Sequence, residues 1–240
     1  MLHWAFPLLC ASLSTNTVGT TTLPLLQLLN SKALQLTLAS ASPRRRELME
    51  SCLGIKAENL QIMPSTFKED LDKKSFRSAA DYCSATALAK GEEVARRIES
   101  SDQKRRQVVI SADTIVVHSC HDEILEKPKD AQDAHRMLSL LSGNQHTVIT
   151  AVSIFSSGSR SSPLELASSF VESTQVRFHS LSQEDIEAYI ATKEPFDKAG
   201  SYGIQGPGSL LVKSVTGCFY NVMGLPVSRL SRELAAILKD

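Results

Sequence analysis

Leu36–Leu53 reads LTLASASPRRRELMESCL, and the rest of the chain is organised around it. Leu36–Ala39 is a short apolar strand. Ser40–Ser42 form a small polar junction. Pro43 suits the first turn of a helix, where its missing N–H has no intrahelical partner and its φ is already set. Ser42 is the natural N-cap before it. Leu48, Met49, Cys52 and Leu53 fall on one helical face, and Gly54 can end the helix.

Arg44, Arg45 and Arg46 conflict with helix stability. Cations in a first turn meet the positive end of the macrodipole, at a cost of roughly 0.3–1 kcal/mol each. An isolated Arg triplet reads as a solvated basic turn. At a strand-to-helix junction, behind Ser-x-Ser-Pro, it reads better as an anion site. Free backbone N–H groups, hydroxyls and guanidinium forks would then converge on phosphate.

Formal net charge is zero over 240 residues. No broad basic surface advertises polymeric nucleic acid or a membrane, so an anion site must be local. Composition is that of an ordinary globular protein, and residues 23–240 are read as one domain. The five cysteines are odd in number, widely spaced and without C-x-x-C. That argues against a zinc site or a disulfide framework and for a reducing, cytoplasmic setting. No apolar run is long enough to span a membrane. Met1–Leu13 is apolar and uncharged, without the basic residues of a signal or presequence. Met1–Thr22 is therefore read as a disordered extension, with a targeting peptide as the alternative.

Outward from the Arg turn, Leu23–Leu34 is a lead-in helix and Leu60–Met63 a second short strand. Pro64 opens a polar loop carrying the acidic pair Glu69 and Asp70. Ser78–Ile98 is a long helix bearing Lys90, and Ser100–Arg106 is a charged link. Val108–Val117, VVISADTIVV, is an apolar strand long enough to cross a sheet centre. A carboxylate at its middle is expensive unless a cation, a metal or several donors meet it. Asp113 is read as functional rather than as a structural anchor, because its small neighbours leave room for a ligand. A hairpin through Ile124 can return Glu126 and Lys127 beside it. His118 and His121 are read as solvent-facing residues of that turn rather than metal ligands.

Asp130–Leu141 is a helix capped by Asp130. Thr147–Phe155 and Phe170–Phe178 are strands joined by a Ser/Gly-rich turn, and His146 ahead of the first is structural. Ser182 caps a helix over Gln183–Thr192. Glu194–Gly208, EPFDKAGSYGIQGPG, matches neither a Walker nor a dinucleotide pattern. Its Asp197, Lys198 and Gln205 can face a substrate. Leu210–Val212 is a further strand, and Pro226 starts a last helix to Leu238.

These motifs resemble the Maf family of nucleoside triphosphate pyrophosphatases. The resemblance is carried in order by SASPRR at Ser40–Arg45, the loop acid Glu69, TALAK ending at Lys90, SADT around Asp113, EKP at Glu126–Pro128, MLSLLSGNQHTVIT, and DKAGSYGIQG at Asp197–Gly206. Ser111 departs from the glycine usual before Ala-Asp-Thr. The resemblance implies an α/β fold of the inosine-triphosphatase type: a mixed sheet flanked by helices, in two lobes around a cleft. It also implies a divalent metal, Mg²⁺ or Mn²⁺, and often a homodimer.

By the same resemblance, Ser40, Arg44 and Arg45 would cradle the triphosphate. Glu69 and Asp113 would bind metal and activate water. Lys90 and Lys127 would hold phosphates, and Gln205 would lie near the substrate. SASPRR and YGIQG look like the branch acting on dTTP, UTP and modified pyrimidine triphosphates, in nucleotide-pool house-cleaning. The expected reaction releases monophosphate and pyrophosphate. Two alternatives stay open: a non-catalytic nucleotide-binding regulator of cell division, and an inosine- or xanthosine-triphosphate pyrophosphatase of the same fold.

Overall fold

The computed structural model describes residues 23–99, 105–118, 123–159 and 162–239. The expected extension Met1–Thr22, residues 100–104 of the charged link and His121 lie outside them.

Among the described residues seven strands form one mixed sheet, in the order β2 (Leu60–Ile62), β1 (Leu34–Leu38), β3 (Arg106–His118), β5 (Gln145–Ser157), β6 (Leu164–Phe178), β7 (Val212–Thr216), with β4 (Ile124–Leu125) also on β3. β1 lies parallel to both β2 and β3. β3 is antiparallel to β4 and β5. β6 and β7 continue antiparallel from β5.

The decisive feature is a gap along one edge of β3. β1 pairs with it only as far as Ile110, extended by the Ala39 N–H to the Ile110 carbonyl at 2.8 Å. β4 pairs with Val116 and Val117. Among the described residues, no strand pairs with residues 111–115 on that side. Backbone and side chains at the sheet centre therefore open into a cleft.

Strand alternation divides β3 between two faces. Val109, Ile115 and Val117 pack on helix α3 (Ala79–Glu99) with Val94, Tyr82 and Cys83. On the opposite face the core splits in two. Ile110 and Ala112 join α1 (Leu23–Leu29), α2 (Pro43–Ser51) and the last helix (Val227–Lys239). Val116 joins α4 (Ala131–Leu141) and α5 (Gln183–Ala191). The two lobes of the expected fold are these two clusters, and the cleft runs between them.

Local signals set the helix starts. Ser42 accepts the Arg45 N–H, Asp130 accepts the Asp133 N–H, and Ser182 and Asp185 form a reciprocal capping box. Leu48 and Met49 are buried and fix α2 on the sheet, each contributing roughly 1.5–3 kcal/mol.

Four expectations need correction. His118 is buried, not solvent-facing: the strand runs on to it, and its N–H bonds the Glu123 carbonyl at 3.1 Å. Cys52 is exposed rather than on the apolar face, because α2 ends at Ser51 and the chain turns at Gly54, whose φ is 59°. Residues 206–211 form a 3-10 segment with Leu210 80% exposed, and the strand starts at Val212. β6 begins at Leu164, because its outer residues pair with β5 although none of residues 164–169 is buried.

Candidate active site

The first wall of the cleft is the junction read from the sequence. Ser40 follows β1 and is buried, and α2 begins two residues later at its cap. Arg45 turns back into the protein. Its Nε donates to the Gly224 carbonyl at 2.9 Å, Nη1 to Ser40 Oγ at 3.1 Å and Nη2 to Thr114 Oγ1 at 2.9 Å. Burial pulls the guanidinium below its usual pKa, while the charge of Asp113 works the other way. The bonds around Arg45 therefore leave it short of compensating negative charge. Arg46 turns away to Glu50, at 2.8 Å on the solvent side, so only two of the three arginines face the cleft.

The second wall is α3. Lys90 Nζ lies 2.8 Å from Asp113 Oδ1 and 2.7 Å from Glu69 Oε2. Asp113 is buried, whereas the Glu69 side chain is half exposed on its loop. Close helix-to-sheet contact makes this meeting possible. A Cβ on Gly91 would stand 2.4 Å from the Phe155 ring and 2.6 Å from Ser111 Oγ. Ser111 fits because its hydroxyl donates to the Ala87 carbonyl at 2.7 Å.

The third wall comes from the second lobe. Glu126 accepts from Tyr82 Oη at 2.7 Å and from Lys73 at 2.5 Å, and Lys127 lines the cleft next to it. Arg44 Nη1 meets Asp197 Oδ2 at 3.0 Å, joining the lobes, and Lys198 Nζ meets Asp197 Oδ1 at 2.6 Å. Gln205 and Tyr202 line the far end. Behind Tyr202, His146 Nε2 and the phenol oxygen are 2.8 Å apart, consistent with a structural His146.

The cleft has a volume of about 740 Å³. The structure brings Ser40, Arg44, Arg45, Glu69, Lys90, Asp113, Lys127 and Gln205 all to its lining. Asp70 is exposed and does not reach it. Sequence reasoning missed Thr114 as an Arg45 partner and missed the Glu93 contacts to the Glu69 loop. The alternation of β3 places Thr114 opposite Asp113, and helical spacing places Glu93 one turn from Lys90.

Charge decides what the cleft can accept. Its cations Arg44, Arg45, Lys90, Lys127 and Lys198 are matched one for one by Glu69, Asp113, Glu126, Glu194 and Asp197. A polyanion entering this balance needs a further cation. Glu69 and Asp113 converge on one position, presently that of the Lys90 ammonium. Two hard carboxylates that share a position suit Mg²⁺ or Mn²⁺ when phosphate oxygens complete the shell. Among the described residues, no group of three or more His, Cys, Asp or Glu forms a protein-only cage. Glu69 and Asp113 thus supply the donor type that suits a divalent metal, with the rest of its shell from outside the protein.

An α/β sheet interrupted at its centre, with paired carboxylates and a half-buried arginine around the gap, defines a protein built to hold a charged small molecule. The family model described as Maf-like protein matches residues 35–237, and the chain belongs to that family. It is 46% identical over 204 residues to a human protein named probable bifunctional dTTP/UTP pyrophosphatase/methyltransferase protein, covering 85% of this chain and 32% of that one. The chain thus spans about a third of the human relative's length. It is 44% identical over 197 residues to a dTTP/UTP pyrophosphatase of Bacillus cytotoxicus, covering 82% of this chain and 92% of the relative. A Carboxydothermus hydrogenoformans protein of the same name is 39% identical over 201 residues, 84% of this chain and 97% of that one. No helix among the described residues is long and apolar enough to cross a membrane.

Proposed function

We propose that the protein is a nucleoside triphosphate pyrophosphatase that hydrolyses dTTP, UTP and modified pyrimidine triphosphates to monophosphate and pyrophosphate. The observation that carries this is the meeting of Asp113 and Glu69 at Lys90 Nζ, within the same cleft as the half-buried Arg45. A binding module needs the arginine cradle but not the acidic pair. The names of the Bacillus and Carboxydothermus relatives support the choice of substrate.

In this reading Ser40, Arg44, Arg45 and the free N–H groups of α2 hold the triphosphate. Asp113 orients a water molecule and takes its proton as the water oxygen bonds to the α-phosphorus. The bond from that phosphorus to the bridging oxygen breaks, and pyrophosphate leaves with its electrons. Lys90 and Lys127 neutralise the charge that grows on the phosphate oxygens. When bound by Glu69 and Asp113, a divalent metal supplies Lewis-acid withdrawal of negative charge. A cytoplasmic location and a homodimer belong to the same proposal, and sedimentation checks the latter.

The test is incubation of purified protein and Mg²⁺ with separate canonical and modified triphosphates. Monophosphate with pyrophosphate, fastest from dTTP or UTP, is the expected result. Turnover of purine analogues alone overturns the substrate. Orthophosphate release overturns the position of attack. Tight nucleotide binding without turnover moves the protein to the regulatory class.

A further inference from the structure

Glu69 is the exposed member of the acidic pair, so something other than burial must place its carboxylate. Its loop leaves β2 at Ile62 and is caught on α3 one turn beyond Lys90. Glu93 Oε2 accepts from Ser65 Oγ at 2.9 Å and from the Thr66 N–H at 3.0 Å. Glu93 Oε1 accepts from Thr66 Oγ1 at 3.0 Å and meets Arg97 Nε at 2.9 Å. Arg97 Nη2 in turn donates to the Pro64 carbonyl at 2.8 Å. Lys90, Glu93 and Arg97 follow at three- and four-residue spacing and share one stripe of the helix.

A solvated helix acid does not collect three donors from one loop. Here both oxygens of a largely covered carboxylate are saturated. These contacts hold its pKa below the ordinary value, although burial is the largest single influence and opposes them. Three residues after Thr66 comes Glu69, whose carboxylate returns to the same helix at Lys90. The loop is tied at both ends of a three-residue span, and Glu93 is the fixed end.

We infer that Glu93 is a positioning residue: through Ser65 and Thr66 it sets where the Glu69 carboxylate meets Lys90 and Asp113. This deepens the pyrophosphatase reading and rests on it. Glu93 touches no substrate. It determines whether the second carboxylate is in place when nucleotide and metal arrive.

The experiment compares wild type, Glu93→Ala, Thr66→Val, Glu69→Gln and the double variant Glu93→Ala/Glu69→Gln. Steady-state hydrolysis of dTTP is measured as Mg²⁺ is varied. Glu93→Ala is expected to lower kcat about 10–100-fold and raise the Mg²⁺ needed for half-maximal rate, as loss of a supporting carboxylate does. KM for the nucleotide stays close to wild type, because Ser40 and Arg45 are untouched. Glu93→Ala added to Glu69→Gln costs nothing further, since one residue acts through the other. Hydrogen exchange of residues 65–69 rises in Glu93→Ala.

An unchanged kcat, losses that multiply in the double variant, or unchanged exchange each overturn the inference. If Glu93→Ala does not fold, Thr66→Val removes one loop bond at the surface and must show the same pattern at smaller size. A wild-type protein that releases no pyrophosphate overturns the enzymatic reading and this inference together, and is recognised before any variant is made.

Discussion

Asp113 and Thr114 are neighbours on β3, yet they hold cations on opposite faces of the sheet. Asp113 Oδ1 accepts from Lys90 Nζ at 2.8 Å, and Thr114 Oγ1 accepts from Arg45 Nη2 at 2.9 Å. Alternation along a strand dictates this. In a fully paired sheet the two faces would be sealed from each other. Here the edge at residues 111–115 carries no partner among the described residues, so both faces open into one cleft.

Asp113→Asn keeps the shape of the side chain and an acceptor for Lys90 but removes the proton acceptor. The expected loss in kcat is about 10²–10⁴-fold, the usual worth of a positioned general base. Nucleotide affinity by calorimetry should remain within a few-fold of wild type. Turnover near normal would remove Asp113 from the chemistry.

Arg45 is bonded to three separate acceptors and is half-buried. Lysine cannot reproduce that fork. Arg45→Ala should raise KM for dTTP and weaken pyrophosphate binding in calorimetry. It should also lower the melting temperature, since each buried polar group left unsatisfied costs about 1–3 kcal/mol. An unchanged KM together with an unchanged melt would refute the anion-site reading of this turn.

Local signals made much of this legible in the sequence. Ser42, Asp130 and Ser182 announce their helices, because a short side chain must satisfy the free N–H groups there. Asp113 announces itself by its cost in an apolar strand. The burial of His118 and the true start of β7 were not legible, since both depend on which strand lies alongside. The contacts of Glu93 were hidden for a similar reason. An acid on an amphipathic helix looks solvated until the loop across from it is known. Arg46 shows the converse: three identical residues in a row diverge, because helical rotation turns the third toward Glu50 and water.

The Arg44–Asp197 pair joins residues 153 apart in sequence across the cleft mouth. Both oxygens of Asp197 are engaged, one by Arg44 and one by Lys198. A triphosphate that recruits Arg44 must compete with this carboxylate. Asp197→Asn should therefore lower KM, by no more than about fivefold, because half-exposed ion pairs are worth roughly 0–1 kcal/mol. The gain should shrink in high salt. A raised KM would show instead that Asp197 aims Arg44 at the substrate.

His146 is fully buried, edge-on to Phe178 and Tyr202, with ring centroids 4.9 and 5.3 Å away. Burial first, and then the nearby His118, push its pKa from 6.5 down to about 3. The folded state thus refuses a proton that the unfolded chain accepts. Stability from the neutral ring is fully present above about pH 6.5 and is lost as pH falls toward 3. The slope approaches about 1.4 kcal/mol per pH unit once the unfolded imidazole is protonated. Urea unfolding of wild type between pH 7 and 5, above the main range of carboxylate titration, should show this decline. His146→Gln should flatten it while lowering stability at pH 7, because the glutamine cannot titrate but packs less well against Phe178. An equal slope in the variant would assign the decline to another group.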